Sequence, residues 1–305
     1  MTAPFKFSPS RIQQVELGGR TVDILRLDEI HPSVNGNKWF KLRYNLDAAA
    51  GGGYNGLITF GGPWSNHLYA TAQACREAGI GCIGIVRGES PSELSQTLRD
   101  ASDAGMHLEF ISREMYDLRD SEELKAWIRS RFGNVWIVPE GGSNFLGING
   151  AMEMVSTAIA RNYEVIAIAC GTGGSVAGLR LSAPSSVDIL GVPVLKGEGY
   201  MPRQVHQLLY GFLGDSDAAE ELTGRISFDE RWHFGGYAKY DQVLVEFIRR
   251  MEMHHALPLD QVYTAKLLYG IEQRLLKKEA YHDNKMLVVH TGGLQGRRSL
   301  GAIFS

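Results

Sequence analysis

The sequence predicts an α/β protein with mostly parallel sheets, covered by helices and divided between two domains. Short segments rich in Val and Ile alternate with helical segments along the 305 residues, and this alternation is typical of βαβ units. About seven such segments are more than one small sheet needs. No linker rich in Pro or Ser separates them, so the chain must pass between the two domains more than once.

The predicted strands are, in order, residues 56–60 (GLITF), 81–88 (GCIGIVRG), 106–111 (MHLEFI), 134–139 (NVWIVP), 163–171 (YEVIAIACG), 188–194 (DILGVPV) and 285–293 (KMLVVHTGG). Helices are predicted over 65–80, 91–105, 120–133, 147–162, 174–182 and 239–255. The segment 266–281 has charged residues at helical spacing and is predicted to be a surface helix. Five glycines make residues 212–236 look irregular.

Composition narrows the possible function. The formal net charge is -3 and the pI is about 6.3, which argues against a dedicated nucleic-acid binder. The three cysteines have no disulfide or metal-ligand spacing, so a reducing compartment is expected. The N-terminal segment lacks the apolar stretch of a signal peptide, and no apolar run is long enough to cross a bilayer. We therefore expect a cytoplasmic protein.

A glycine-rich loop, CGTGGSVAGL over residues 170–179, follows a predicted buried strand. Its glycines allow the backbone to approach an anion, and the N-terminus of the following helix adds positive charge. Val176 occupies the position of the third glycine in the dinucleotide motif, and no GK[ST] follows. A site for a single phosphate remains, and a tight turn that binds nothing is the alternative.

Two lysines occur three residues apart in NGNKWFKL, residues 35–42. On a helix, Lys38 and Lys41 share a face, and their charges repel unless an anion lies between them. Pyridoxal phosphate needs a lysine for a Schiff base, a cradle for its phosphate and a partner for its ring nitrogen; the sequence supplies the first two. The alternative is a pair of solvated lysines that flank the buried residues Trp39 and Phe40.

Five segments resemble one family of pyridoxal-phosphate enzymes. The segments NGNKWFKLRYNL, TFGGPWSNHLYATAQACREAG, GTGGSVAGL, LDQVYTAKLLYGI and VVHTGG are similar, in the same order, to motifs of the 1-aminocyclopropane-1-carboxylate deaminases and D-cysteine desulfhydrases. The resemblance extends from about residue 20 to residue 296. It implies the tryptophan-synthase-β-like fold, fold type II, with a larger domain of residues 1–44 and 149–305 and a smaller inserted domain of residues 45–148.

The resemblance also implies roles for individual residues. Lys38 would form the Schiff base, Asn66 would bond the 3-hydroxyl of the cofactor, and Thr264 or Thr291 would face its ring nitrogen. The remaining implied positions are Gly171, Thr172, Gly173 and Gly174 around the phosphate, Ser65, Tyr237 and Tyr263 as catalytic hydroxyl groups, and Ser65, His67 and Lys41 beside the substrate. Glu140 opens a further glycine loop, where it contacts a ligand or only makes a turn.

Departures from the family pattern bear on the substrate. His67 matches the desulfhydrases, whereas the deaminases have Gln there. Thr264 occupies the position at which the deaminases have Glu. Pro63 and Trp64 replace a small residue and Gln, and are expected to alter the wall of the substrate pocket. The resemblance therefore favours β-elimination from D-cysteine or a related amino acid by a homodimer. Deamination of the cyclopropane amino acid, and cofactor binding without turnover, remain alternatives; a dehydrogenase or nucleotide-binding protein is disfavoured by the missing motifs.

Overall fold

The computed structural model describes residues 7–303, with side chains for residues 7–298. Its strands are β1 (Ile12–Leu17), β2 (Arg20–Arg26), β3 (Leu57–Gly61), β4 (Cys82–Arg87), β5 (Met106–Ile111), β6 (Trp136–Ile137), β7 (Val165–Cys170), β8 (Asp188–Pro193), β9 (Ile226–Phe228) and β10 (Met286–His290). All seven predicted strands occur, and their limits lie within two residues of the predicted ones, except that β10 ends three residues before residue 293. Of the predicted segment 134–139, only two residues are extended.

The α-helices are α1 (Asn37–Gly51), α2 (Asn66–Ala78), α3 (Gln96–Asp103), α4 (Arg113–Asp117), α5 (Glu122–Phe132), α6 (Phe145–Ala151), α7 (Thr157–Ala160), α8 (Gly174–Ser182), α9 (Tyr200–Leu213), α10 (Ser216–Gly224), α11 (Gln242–His255) and α12 (Thr264–Leu276). Short 3-10 turns occur at Leu27–Glu29, Glu140–Gly142 and Glu230–Trp232, and a longer one covers Leu294–Ile303. None of the helices in the described part of the chain is both long and apolar enough to cross a membrane.

Two sheets organise these elements. The larger has the strand order β1-β2-β10-β7-β8-β9 and the smaller has the order β5-β4-β3-β6. Every neighbouring pair is parallel except β1 and β2, which confirms the predicted α/β class. The smaller sheet comes from one continuous stretch, and the larger from the chain on either side of it. The domain limits near residues 45 and 148 stay a prediction, and residues 1–6 and 304–305 lie outside the described chain.

Burial explains why the parallel strands were visible in the sequence. Every residue of β3, β7 and β10 is buried, so these strands are continuous apolar runs, as expected for sheets covered on both faces. Strand β1 is different, because half of its six residues are exposed and half are polar, and it pairs with β2 across the tight turn at Gly18 and Gly19. This antiparallel hairpin was not predicted.

Three sequence predictions need correction. The helix predicted over 147–162 is two short helices, α6 and α7, separated by residues 152–156. Residues 212–236 contain regular secondary structure, namely the C-terminal end of α9, all of α10 and all of β9. The predicted surface helix at 266–281 is largely the buried helix α12. Apart from Lys266 in its first turn, its charged residues lie near the C-terminal end, while the preceding turns pack against the larger sheet.

The parallel strands bring their carboxyl ends, and the loops that follow, towards a common cleft. Strand β3 leads into the loop before α2, β7 leads into the glycine loop before α8, and β10 leads into residues 291–296. Ligands of open α/β sheets bind outside the carboxyl ends of the strands. These three loops, each of which carries glycine, are therefore the walls of one candidate site.

Candidate active site

A cavity of about 620 Å³ lies between these loops. A pocket of that size is in the range that encloses small ligands. The predicted site residues that line it are Lys38, Lys41, Ser65, Asn66, His67, Gly171, Thr172, Gly173, Tyr237, Tyr263 and Thr291. Gly174 and Thr264 do not line it. Residues predicted from six separated parts of the chain therefore converge on one cavity, as one functional site requires.

Helix α1 begins against the loop that follows β10. Gly36 has a φ of 65°, and a Cβ atom built on it would lie 1.9 Å from the carbonyl oxygen of Thr291. The amide of Asn37 donates to that same oxygen at 3.3 Å, and its side-chain Nδ2 donates to Ser175 Oγ at 2.8 Å. Only glycine fits at position 36, and the resulting contact fixes where Lys38 enters the cavity.

The two lysines occupy a nearly dry environment. Lys41 is 1% exposed, which makes the solvated-lysine alternative wrong for this residue, whereas Lys38 is half-buried on the cavity wall. Burial lowers the pKa of Lys38 to about 8, with Asp260 opposing the shift. Burial and the neighbouring Lys38 lower the pKa of Lys41 well below its usual value. An anion between these amines would relieve both effects.

Lys41 lies under the glycine loop rather than beside the loop before α2. Its Nζ donates to Ser143 Oγ at 3.0 Å, and Ser143 Oγ is 2.7 Å from Thr172 Oγ1. A Cβ atom on Gly174 would come within 2.7 Å of the same Nζ, and Gly173 caps α8 with a φ of 82°. Glycine at 173 and 174 therefore lets the loop approach a buried cation, an arrangement that suits a phosphate group.

The loop between β3 and α2 presents polar groups from a helix N-terminus. Ser65 caps α2 by accepting the amide of Leu68 at 3.2 Å, so its own hydroxyl proton remains available to a ligand. Asn66 Oδ1 accepts from Gln295 Nε2 at 2.8 Å, which orients the amide and leaves Nδ2 as a free donor group. Both side chains are at least nine-tenths buried, and the helix dipole makes the position favourable for a carboxylate.

The hydrogen bonds around His67 define its tautomer. The only proton of the Thr59 hydroxyl is donated to the carbonyl oxygen of Val138 at 3.0 Å. The 2.8 Å contact between Thr59 Oγ1 and His67 Nε2 must therefore be donated by the imidazole N–H. Nδ1 is then a buried lone pair, without a hydrogen-bond partner among residues 7–298. Burial, with help from Lys38 and Lys41, lowers the pKa of His67 well below its usual value, so the ring is neutral.

A substitution at Thr59 tests this tautomer. In Thr59→Val the buried Nε2–H of His67 and the carbonyl of Val138 both lose their partner, so we expect the free energy of unfolding to fall by about 1–3 kcal/mol. Nitrogen NMR of labelled histidine should show a single Nε2-protonated tautomer in the original protein and a mixture in the valine variant. Thr59→Ser keeps the hydroxyl and should retain both properties; an unchanged tautomer in Thr59→Val would contradict the assignment.

Tyr237 and Tyr263 form an edge-to-face pair on the cavity wall, with ring centroids 6.3 Å apart. Burial, followed by the neighbouring Tyr237, raises the pKa of Tyr263 well above its usual value, so this phenol is a hydrogen-bond donor at neutral pH. The loop that carries Tyr237 is held by Lys266, which is fully buried and donates at 2.8 Å to the carbonyl oxygens of His233 and Gly236.

The two threonines proposed for the cofactor nitrogen differ in position. Thr264 is directed away from the cavity, because its Oγ1 donates to Asp260 Oδ1 at 2.7 Å. That carboxylate also accepts from the amides of Val262, Tyr263 and Thr264. Thr264 therefore helps to close the turn before α12, and the hypothesis that it faces the ring nitrogen is wrong for this geometry. Thr291 remains, because it lines the cavity.

The expected effect of Pro63 and Trp64 on the pocket wall is also wrong. Neither residue lines the cavity, because the tip of their loop turns outward and Trp64 is 38% exposed. Glu140, by contrast, does line the cavity. It does more than make a turn, because its Oε2 lies 3.1 Å from the guanidinium of Arg119.

Several residues that shape the site were not identified in the sequence. Lys266 fixes the Tyr237 loop, Thr59 orients His67, and Ser143 links Lys41 to the glycine loop. Lys266 lies inside one of the motifs quoted above and could have been noticed as a lysine within an apolar helix. No sequence pattern indicated the roles of Thr59 and Ser143, because the residues to which they form hydrogen bonds are distant in the chain or lie in other loops.

The chain is similar to curated proteins over most of its length. The chain is 31% identical over 274 residues to a putative 1-aminocyclopropane-1-carboxylate deaminase of Thermotoga maritima, which covers 86% of this chain and 85% of the relative. It is 27% identical over 301 residues to a mitochondrial bifunctional D-cysteine desulfhydrase/1-aminocyclopropane-1-carboxylate deaminase of Arabidopsis thaliana, covering 91% of this chain and 73% of the relative. No family model matches the sequence.

Solved structures give the same result. The crystal structure of a homologue of 1-aminocyclopropane-1-carboxylate deaminase superposes with a TM-score of 0.79 and 25% identity, over 100% of this chain and 95% of that chain. A pyridoxal 5'-phosphate-dependent aspartate racemase superposes with a TM-score of 0.63 over 94% of this chain and 91% of its own, at 14% identity, which shows likeness of fold alone.

The two sheets, the convergent glycine loops and the buried lysines define the fold of the type II pyridoxal-phosphate enzymes, as predicted. Within that class, the likeness to the Thermotoga maritima relative over most of both chains identifies the group. The chain belongs to the family of 1-aminocyclopropane-1-carboxylate deaminases and D-cysteine desulfhydrases.

Proposed function

We propose that the protein binds pyridoxal 5'-phosphate covalently through Lys38 and acts as a lyase on small amino acids, mainly by β-elimination of the D-cysteine-desulfhydrase type. The products from D-cysteine would be pyruvate, ammonia and sulfide. The observation that carries this proposal is the position of Lys38 on a cavity whose other end is a glycine loop with a buried lysine behind it. The bifunctional relative, named for both activities, supports the general reaction.

The residues fit this cofactor at each of its polar groups. The amides of residues 171–174 and the N-terminus of α8 would hold the phosphate, with Lys41 beneath them as the counter-charge. Lys41 would therefore bind the phosphate of the cofactor rather than the substrate. Asn66 would donate to the 3-hydroxyl, and Thr291 would meet the ring nitrogen. When bound, the cofactor supplies an electron sink that stabilises negative charge at the α-carbon of an amino acid.

Side chains of the cavity would then bind the substrate and transfer its α-proton. Ser65 and the N-terminus of α2 would bind its carboxylate. Lys38, with a pKa of about 8, can hold or release a proton near neutral pH and would carry the α-proton. Tyr263 stays protonated and would donate a hydrogen bond, and His67 offers only the lone pair of Nδ1. General acid–base help of this kind is worth about 10²–10⁴-fold in rate.

The choice between the two family activities depends on charge near the ring nitrogen. A carboxylate there keeps the nitrogen protonated and strengthens the sink, which ring opening of the cyclopropane substrate demands. The cavity-lining carboxylates within the described chain are Asp120 and Glu140, and Glu140 is already paired with Arg119. Thr291 has no charge with which to hold a proton. This arrangement supports β-elimination, in which the electrons leave promptly with the β-substituent.

A side-by-side assay tests the proposal. Purified protein with bound cofactor should be yellow and should form pyruvate from D-cysteine or another amino acid with a β-leaving group, faster than it forms 2-oxobutyrate from the cyclopropane amino acid. The Tyr263→Phe and Ser65→Ala variants should be slower on the same substrate. Efficient 2-oxobutyrate formation, with all β-substituted compounds left intact, would reverse the choice, and cofactor binding without any turnover would indicate a binding protein.

We also propose a cytoplasmic homodimer whose partners are small amino acids, without nucleic-acid or membrane binding. The net charge of -3 supports the absence of nucleic acid. The three cysteines are free and buried, which suits a reducing compartment.

A further inference from the structure

Two arginines of the smaller sheet reach the wall of the cavity. Arg87 is the last residue of β4, at the carboxyl edge of that sheet, and Arg119 follows α4. Both line the same cavity as Lys38. Neither belongs to the motifs that identify the family, and the proposed elimination from D-cysteine gives neither of them a role.

One aromatic ring brings the two guanidinium groups together. Their central carbons lie 5.9 Å (Arg87) and 5.2 Å (Arg119) from the ring centre of Tyr116. Tyr116 is 1% exposed and packs edge-on against Phe60 of β3, with ring centroids 6.2 Å apart. The ring is therefore a fixed platform, and cation–π contacts of this kind limit where the guanidinium groups can lie.

Two cations and two carboxylates lie on this part of the wall: Arg87, Arg119, Asp120 and Glu140. Arg119 pairs with Glu140 at 3.1 Å, and a more distant contact, at 4.0 Å, joins it to Asp120, whose side chain is 76% exposed and strongly screened by solvent. Burial raises the pKa of Glu140, and the positive charges of Arg119 and Arg87 oppose that shift. Arg87 is exposed at the end of β4. Its charge acts on Glu140 from a distance, and among residues 7–298 it makes no hydrogen bond or close ion pair. Its five N–H donors are therefore available to solvent or to a ligand that enters the cavity.

Glu140 connects this cluster to the reaction site. It is followed by Gly141 and Gly142, which have left-handed φ values of 68° and 67°. A Cβ atom on Gly141 would lie 2.5 Å from Thr172 Oγ1, and one on Gly142 would lie 3.2 Å from His67 Cε1. The arginines therefore border the chamber in which the amino acid would react. A volume of about 620 Å³ is in the range of pockets that hold drug-sized ligands, so it can take a longer side chain.

We propose that Arg87, with Arg119 beside it, binds a negatively charged group at the far end of the substrate side chain. The inference rests on the proposed function and specifies its substrates: amino acids whose β-leaving group ends in a carboxylate. The α-carboxylate would be held near Ser65, and the second carboxylate would accept charge-assisted hydrogen bonds from the guanidinium groups. D-cysteine itself leaves this subsite without a ligand.

S-Carboxymethylcysteine illustrates the reaction. The α-proton is removed, the Cβ–S bond breaks, and its electron pair leaves with sulfur, which takes up a proton to become mercaptoacetate. One water molecule supplies the oxygen that replaces nitrogen on the three-carbon fragment. The products are pyruvate, ammonia and mercaptoacetate, with no oxidant or reductant required.

The test compares S-carboxymethylcysteine with its S-carbamoylmethyl analogue, each in D and L form, on the cofactor-loaded enzyme. The two side chains have nearly the same size and differ in charge. We expect kcat/KM to favour the carboxylate by about tenfold or more, because hydrogen bonds to charged groups are the stronger ones. The preference should shrink in Arg87→Gln and with rising salt. Arg99→Gln is the matched control, because Arg99 is bonded to Gln96 and Leu94 on the surface.

Dissociation constants of the same two compounds, measured by calorimetry, separate the two proposals. If no β-substituted amino acid is turned over, the proposed function fails, and tighter binding of the carboxylate that is lost in Arg87→Gln still supports the subsite. If elimination from D-cysteine proceeds but the carboxylate is neither bound nor turned over better than the amide, the subsite is refuted. A preference that survives unchanged in Arg87→Gln refutes it as well.

Discussion

Replacing Lys38 with alanine is expected to lower kcat for the true substrate by at least about 10²–10⁴-fold, the range of general acid–base help that it would supply. Loss of the covalent link to the cofactor adds to this effect. The cofactor-free variant should be as stable as the original protein, because burial disfavours the charged amine, as the lowered pKa of about 8 indicates. Steady-state kinetics and thermal unfolding of the cofactor-free proteins measure the two effects.

Lys125→Ala is the control for that experiment. Lys125 lies on α5, outside the cavity, where its Nζ is 2.8 Å from Glu122, so its removal should change neither turnover nor cofactor binding. A Lys38→Ala protein that keeps its full rate would remove Lys38 from the mechanism. A variant that unfolds would instead show that Lys38 has a structural role which its half-buried position does not suggest.

Gly36→Ala is expected to be among the most destabilising single substitutions in the chain. A Cβ atom there would lie 1.9 Å from Thr291 O, at a φ of 65°. The left-handed backbone costs about 1–3 kcal/mol and overpacking against rigid backbone about 1–3 kcal/mol more, so the free energy of unfolding should fall by roughly 2–6 kcal/mol. Because α1 must move away from the Thr291 loop, cofactor binding should weaken as well. Denaturant unfolding and cofactor titration measure both.

Gly53→Ala separates the two contributions. Gly53 has a similar φ of 69°, but no atom lies within 4 Å of its added Cβ. This control should show the backbone cost alone, without any loss of cofactor affinity. Equal destabilisation by both substitutions would mean that α1 does not depend on its close contact with Thr291.

The parts of the structure that were predictable from the sequence are those with a local signature. Buried parallel strands appear as apolar runs, and a glycine that must approach another group cannot be replaced by other residues. The glycine loop over residues 170–179 was therefore visible, and the lysine pair in residues 35–42 was visible as well. Burial of Trp39 and Phe40, at 3% and 6% exposure, followed from the same helix.

The remaining features depend on contacts between distant parts of the chain. Thr264 looked like a partner for the ring nitrogen until its hydroxyl was found on Asp260. Arg87 and Arg119 meet only because both lie over Tyr116. Strand β1 carries alternating polar residues, and its pairing with β2 was hidden because its exposed face gives no apolar run. Tertiary packing decides these features, and local sequence patterns do not record them.

The most direct test of the central claim is to locate the cofactor on the chain. The cofactor-loaded protein is reduced with borohydride, which makes the link to lysine permanent, and is then digested and mapped by mass spectrometry. The account predicts one pyridoxyl group, on the peptide that contains Lys38, with Lys41 unmodified. A pyridoxyl group on Lys41 or on Lys266, or no modified peptide at all, would contradict it.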